Sequence, residues 1–200
     1  ELQPESLETR MWLANASLNA NFTGDVLRIV DETRKLGKEL TAAQSSDLVG
    51  LEAWAYFRQG NFDKAESILL AAERQFPDRI EPIQTLSDIY VAANKTNAAL
   101  ASVEKLIAKL PNDPRPLITK SAIQLQIGAI NEAVQTLTAT LAADATFFPA
   151  LVNRALAYTQ LGRLDEAERD YLKLLELAPK MQSVYYHLGE IDFQRGKGAE

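Results

Sequence analysis

Cysteine is absent from this chain of 200 residues, and histidine occurs once, at His187. The lack of cysteine excludes disulfides, thiolate metal ligands and thiol nucleophiles, and one histidine alone makes a poor basis for a transition-metal site. Nor does the sequence contain an apolar run of about 18 residues, the length that a transmembrane helix requires. We therefore expect no metal, no cofactor and no transmembrane segment.

Basic residues are also scarce relative to acidic ones. The chain has 21 Lys and Arg against 27 Asp and Glu, which gives a net charge of −6. An acidic chain without a long Lys/Arg run is a poor binder of nucleic acid or anionic membranes. Because hydrophobic residues make up 46% and charged residues 24%, the composition is that of an ordinary folded protein.

Sequence motifs of catalysis are missing as well. The "GKG" at 196–198 is too short for a phosphate loop and is not followed by a hydroxyl residue. No serine stands in a nucleophile-elbow sequence. The acidic cluster at 164–170 falls opposite the apolar stripe of its helix, where a solvated surface is expected. We predict no catalytic residue and conclude that the protein is not an enzyme.

What the chain does contain is an internal period of 34 residues. Alanines recur at this spacing at positions 65, 99, 133 and 167. A loop residue stands five positions before each alanine, and one more follows at the same spacing toward the C-terminus. These residues are Gly60, Asn94, Gly128, Gly162 and Gly196. A third column holds only small residues, namely Ala53, Ser87, Ser121, Ala155 and Gly189.

Each column has a physical explanation in a pair of antiparallel helices. Small residues let two helices cross closely, while Gly or Asn in the loop tolerates the positive φ that ends a helix. Pro77, Pro111 and Pro179 keep the same register and stop the second helix of their units. A single pair cannot bury its apolar face, so neighbouring pairs must stack.

The segments 54–77 ("WAYFRQGNFDKAESILLAAERQFP"), 161–179 and 185–196 resemble the tetratricopeptide repeat, which has this period. The resemblance implies an all-α fold, a right-handed superhelical solenoid of antiparallel helix pairs. Charged residues stand at 52, 120 and 154, where the family often has leucine, which predicts partly open packing there. The predicted units are a degenerate helix pair at 1–45 with an insertion near 40–45, four repeats at 46–79, 80–113, 114–147 and 148–181, and a last segment at 182–200.

Two interpretations of segment 182–200 stay open. It is either a capping helix or the first helix of a truncated further repeat, and apolar Tyr186 and Phe193 favour truncation. Self-association through this helix is a further possibility. The chain starts at Glu1 rather than Met, as expected of a mature product or a part of a longer protein, so the compartment (cytoplasm or periplasm) stays open.

The resemblance also implies a binding surface, because the first helices of such repeats line a concave groove. The candidate partner-binding residues are Trp54, Phe57, Arg58, Gln84, Asp88, Arg115, Ile118, Asn153, Leu156, Gln160, Tyr186 and Glu190. For Trp54 and Phe57 the alternative is ordinary packing between helices.

Two specialisations of the family do not transfer to this sequence. The carboxylate clamp that captures acidic chaperone tails would meet Asp47, Glu81 and Asp88, which repel such a tail. The second specialisation is a ladder of asparagines at the sixth position of successive repeats, and in this sequence only Asn153 matches it. The groove instead suits an extended or helical peptide with basic and apolar residues. We predict a protein–protein interaction scaffold; the alternative is a substrate-recruiting or regulatory arm of a larger multidomain enzyme.

Overall fold

The structure, a computed structural model, describes residues 6–36 and 39–196. Its regular elements are all helices, which confirms the predicted all-α fold for this part of the chain. The helices are α1 (Leu7–Asn19), α2 (Thr23–Lys35), α3 (Ala42–Arg58), α4 (Phe62–Gln75), α5 (Glu81–Ala92), α6 (Thr96–Lys109), α7 (Arg115–Gln126), α8 (Ile130–Ala143), α9 (Phe148–Gln160), α10 (Leu164–Leu177) and α11 (Gln182–Gln194). The predicted segments 1–45 and 182–200 include residues 1–5, 37–38 and 197–200, which lie outside the described residues.

The turn inside each helix pair has the backbone conformation that the loop column predicts. Gly60, Gly128, Gly162 and Gly196 have φ between 69° and 79°, and Asn94 has φ of 55°. The corresponding turn between α1 and α2 uses an asparagine, Asn21 at φ 63°. Since only Gly and Asn adopt this conformation at little cost, the loop column is explained by backbone sterics alone.

Polar side chains fix where several helices begin. Asn61 accepts a hydrogen bond from the Lys64 amide at 3.2 Å. Thr41 accepts from the Gln44 amide at 3.2 Å, while the Gln44 side chain accepts from the Thr41 amide at 2.9 Å. This reciprocal capping box starts α3 at Ala42, four residues before the predicted repeat boundary at 46.

Residues 42–45 of the insertion predicted near 40–45 are helical. Helix α3 has 17 residues whereas α5 has 12, so the extra chain forms more than one additional turn at the start of α3. On the preceding helix, Val26 lies 39 residues before Ala65, five more than the period, and both are fully buried. Val26 thus takes the structural place of the repeated alanine, and the longer α3 absorbs the offset.

The chain divides into two compact units, Glu1–Lys109 and Leu110–Glu200. In the first unit, α3 lies between α1 and α5 and also contacts α2 and α4. Its N-terminal core is built around Val26, Ile29 and Leu48. In the second unit, α8, α9 and α10 enclose a core that includes Leu137, Tyr171 and Leu174. Consecutive helices contact one another within each unit, as antiparallel pairs require.

Ion pairs between helices replace leucine packing at two of the charged repeat positions. Arg154 on α9 donates to both carboxylate oxygens of Asp170 on α10, at 2.7 and 2.8 Å. Asp170 is only 6% exposed. Glu52 on α3 pairs with Arg34 on α2 at 2.7 Å. Glu52 and Arg154 are only partly buried, as the expected partly open packing implies, and each joins two helices through an ion pair. The partner of each charge cannot be read from one column of the repeat.

The buried Arg154–Asp170 pair generates a stability prediction. We expect Arg154→Leu to lower the free energy of unfolding by about 3 kcal/mol, because it leaves the Asp170 carboxylate buried without its partner. Arg154→Leu combined with Asp170→Leu should recover most of this loss, since an apolar pair removes the unpaired charge. Urea unfolding followed by circular dichroism measures both effects.

Lys173→Ala is the control, because Lys173 forms an exposed pair with Glu176 on the same helix. This change should cost less than about 1 kcal/mol. An Arg154→Leu variant as stable as the parent chain would show that the buried pair does not hold α9 to α10.

Candidate functional site

A groove of about 440 Å³ lies in the first unit between α1, α3 and α5. Each helix contributes residues separated by about one turn, which places them on one helical face. From α1 these are Met11, Asn15 and Leu18; from α3, Ser46, Asp47, Gly50, Leu51 and Trp54; from α5, Glu81, Gln84, Thr85 and Asp88. We call this set the α1/α3/α5 groove.

Gly50 on α3 lies next to the Thr85 side chain of α5 in this groove. A Cβ atom at Gly50 would lie 3.3 Å from the Thr85 Oγ1 atom, tighter than ordinary van der Waals contact. The missing side chain thus lets Thr85 pack against the α3 backbone and leaves the floor of the groove open. Any larger residue at position 50 would have to displace Thr85 or fill the groove.

At one end of the groove, Asp47 on α3 and Glu81 on α5 face each other. Arg79 donates to Glu81 through Nε at 2.9 Å, so Glu81 is compensated by its own neighbour. Burial, and secondarily repulsion from Glu81, raises the pKa of Asp47, while Arg79 acts in the opposite direction. We call this pair of carboxylates the Asp47 end.

At the other end, Asp88 on α5 lies near Trp54 on α3. Asp88 has neither a hydrogen bond nor an ion pair with any described residue. Although part of the side chain is open to solvent, burial raises the pKa of its carboxyl. Trp54 meets Phe57 edge to face with ring centroids 5.6 Å apart. This Asp88 end therefore combines an uncompensated carboxylate with an aromatic wall.

Three of the predicted site residues, Trp54, Gln84 and Asp88, are brought together in this groove. Trp54 also packs against the N-terminal core, in agreement with the packing interpretation, while a role of Trp54 in binding stays a prediction. Phe57 supports Trp54 from the side. Arg58 donates a hydrogen bond from Nη1 to the Leu18 carbonyl oxygen and so ties the end of α1 to α3.

The wall formed by α1 was not among the predicted site residues. Met11, Asn15 and Leu18 follow the helical spacing i, i+4 and i+7, and this pattern is visible in the sequence. The first helix pair, however, is offset by five residues. The 34-residue register that gives the groove-facing positions of the other repeats therefore does not extend to α1. A search for helical periodicity in each helix separately would have found it.

The remaining candidates lie on three helices of the second unit. On α7, Arg115 is bound to Asp113 through Nε at 2.8 and 2.9 Å, while Ile118 packs against the core. On α9, Asn153 and Leu156 are partly buried and Gln160 is exposed. These side chains therefore combine packing and surface roles.

On α11, Tyr186 is 66% exposed, whereas Glu190 is partly buried. The Nδ1 atom of His187 lies 3.0 Å from Glu190 Oε2, and its ring stacks on Tyr171 at 5.2 Å between centroids. His187 is thus held by packing and by one carboxylate. Within residues 6–36 and 39–196, no cluster of three or more His, Cys, Asp or Glu is arranged to hold a metal ion. Over the same residues, no helix has the length and apolar character needed to cross a membrane.

Comparison with known proteins gives matches at the level of sequence. Two sequence models described as tetratricopeptide repeat match residues 40–80 and 148–181. A tetratricopeptide repeat and J domain-containing co-chaperone of Fusarium oxysporum is 33% identical over 113 residues, which are 56% of this chain and 21% of the co-chaperone. The chain therefore spans about a fifth of the length of this curated relative.

Solved structures resemble the chain as well. A tetratricopeptide repeat protein from Parabacteroides merdae aligns with a TM-score of 0.69 at 18% identity, covering 96% of this chain and 74% of that one. MamA from Desulfovibrio magneticus aligns with a TM-score of 0.64 at 21% identity, covering 76% of this chain and 86% of that one. At these identities the similarity concerns the fold alone.

The raised pKa of Asp88 generates a pH-dependent prediction. The folded chain holds the Asp88 proton to a higher pH than the unfolded chain, so ionised Asp88 destabilises the fold above its folded-state pKa. Asp88→Asn should therefore raise Tm at pH 7 by about 1–2 °C. The difference should vanish as the pH falls toward 3, where Asp88 is protonated in both states. Calorimetry across this range measures it.

Asp31→Asn is the matched control, since Asp31 lies on α2 outside the groove and pairs with Lys35 at 2.5 Å. Its removal should leave Tm at pH 7 unchanged or slightly lower. A lower Tm for Asp88→Asn at neutral pH would mean that the Asp88 carboxylate stabilises the fold.

Proposed function

We propose that this chain, two segments of which match tetratricopeptide repeat models, is a protein-interaction scaffold that binds a peptide or protein segment in the α1/α3/α5 groove. The observation that carries this proposal is the uncompensated Asp88 carboxylate beside Trp54 in an open groove. A carboxylate that has lost part of its water without gaining a protein partner weakens the fold. A basic group of a bound partner would supply the missing compensation.

Apolar contact supplies the second part of recognition. Met11, Leu51 and Trp54 lie along the groove between and beside its carboxylates, so a partner can bury apolar side chains while its cations meet the acids. Charge complementarity of this kind orients the partner and excludes acidic segments. A segment with basic and apolar residues therefore fits the groove better than an acidic tail.

Recognition without chemistry is part of the proposal. Among the described residues that line the groove, the ionisable side chains are all carboxylates: Asp47, Glu81 and Asp88. A carboxylate acting as a general base needs a substrate group positioned within hydrogen-bond reach. The spread of these acids over both ends of the groove suits ion pairing along a peptide better than convergence on one reacting atom.

A second candidate function is a recruiting arm of a larger protein. The match to the Fusarium oxysporum co-chaperone favours it, because the aligned residues amount to 21% of that protein. In such an arrangement the groove would hold a substrate for another domain of the same chain. The sequence encoded on either side of this segment distinguishes the two candidates: an adjoining J domain or catalytic domain supports the arm.

The groove proposal predicts that Asp88→Lys abolishes partner capture. The substitution reverses one charge at an exposed position, so the fold should persist while a basic partner is repelled. The measurement is affinity capture from the source organism with quantitative identification of bound proteins. Partners of the groove should fall at least about tenfold in yield, consistent with the energy of a close charge pair.

Asp31→Lys provides the same charge change on α2, and it should leave the captured set unchanged. If Asp88→Lys and a second groove variant, Gly50→Leu, both retain every partner, the α1/α3/α5 groove is not the binding site. Circular dichroism verifies that each variant is folded.

A further inference from the structure

The three helices that line the α1/α3/α5 groove present their residues in matching registers. On α3, Asp47 and Trp54 are seven residues apart, and on α5, Glu81 and Asp88 are seven residues apart. Seven residues are two turns of α-helix, or about 10 Å along the axis. Measured along the helix axes, the Asp47 end and the Asp88 end are therefore about 10 Å apart, with Leu51 between them.

Each end of the groove carries one uncompensated negative charge. At the Asp47 end, two carboxylates face the single guanidinium of Arg79, which leaves one negative charge over. At the Asp88 end, the one carboxylate has no basic partner among the described residues. Because the two negative charges lie at opposite ends of the groove, a partner neutralises them with two separate cations rather than with one cluster of positive charge.

A buried hydroxyl in the same groove is also without a partner. Ser46 is 1% exposed and lines the groove beside Asp47, and its Oγ atom makes no hydrogen bond with any described residue. A buried polar atom of this kind is normally satisfied by protein, water or ligand. The Ser46 hydroxyl is therefore left for a water molecule or for a polar group of an occupant.

Building on the proposed function of the groove, we propose that its occupant is an extended segment with two basic residues at positions i and i+3 and apolar residues between them. In a polyproline II conformation, residues i and i+3 point the same way and lie about 9 Å apart. One cation would then pair with the Asp47 end and the other with the Asp88 end. The apolar residues between them would lie over Leu51 and Met11.

The number of residues that must be ordered favours an extended segment over a helix. A helix would present the same spacing through residues i and i+7, whereas an extended segment covers it with four residues. Because each residue that is ordered on binding costs conformational entropy, the extended occupant makes the same two ion pairs at a lower cost.

The test is a spacing series of synthetic peptides. Each peptide is acetylated, amidated and composed of the same alanines, leucines and serines with two arginines, which are placed at i,i+1, i,i+2, i,i+3, i,i+5 or i,i+7. Binding is followed by titration calorimetry and by tryptophan fluorescence. Of the two tryptophans of the chain, Trp54 lines the groove and reports binding, whereas Trp12 is 65% exposed, is not one of the lining residues and contributes a constant background.

We expect the i,i+3 peptide to bind about fivefold more tightly than every other spacing, because only it engages both charges. In Asp88→Asn this preference should disappear, so that the five peptides bind equally. In the control Asp31→Asn, which removes a charge from α2, the preference should remain.

Other outcomes separate the spacing from the proposed function. If all spacings bind equally and Asp88→Lys weakens them all, the i,i+3 proposal is wrong while the groove remains the binding site. Tightest binding by the i,i+7 peptide would replace the extended occupant with a helical one. If no peptide binds and Asp88→Lys also leaves partner capture unchanged, both the spacing and the groove are rejected.

Discussion

Close contact between helices at fully buried small side chains is the constraint on which the rest of the fold depends. Ala53, Ala65, Ala99, Ala155 and Ala167 are all 0% exposed. An alanine at a crossing point brings two helix backbones together, so larger neighbours such as Leu69 and Leu174 interdigitate around it. Because these alanines recur with the period of the chain, the same kind of close contact is available in successive helix pairs.

This regular scaffold explains why an unfavourable groove is tolerated. The alanines and leucines that hold the helix pairs lie inside them, whereas Asp47, Glu81 and Asp88 lie on the faces of α3 and α5 that the groove exposes. Stability and recognition thus depend on different faces of the same helices. A carboxylate can remain uncompensated at Asp88 because the contacts that hold α5 in place do not involve it.

The features that the sequence predicts well are those with local or periodic causes. Positive φ at Gly60, Asn94 and Gly128 follows from sterics within a single turn, and the helix pairs follow from a repeated apolar pattern. The contribution of α1 to the groove was missed because five extra residues at the start of α3 shift its register. The bidentate ion pair between Arg154 and Asp170 was missed because it depends on the distance and direction between two helices. No single column of the repeat specifies either of them.

The distribution of charge in the groove distinguishes it from an ordinary acidic surface. On a solvated helix face, acids pair with nearby bases, as Asp25 and Glu32 do with Arg28. In the groove, Arg79 neutralises Glu81, yet no described base reaches Asp88, although long basic side chains on a helix readily reach acids three or four positions away. Position 84, four residues before Asp88 on the same helix face, is a glutamine rather than a lysine or an arginine. Position 92, four residues after Asp88 and the better placed of the two for a base, is an alanine. The helix therefore has no base four positions from Asp88 in either direction, and this leaves the negative charge of Asp88 available to a partner.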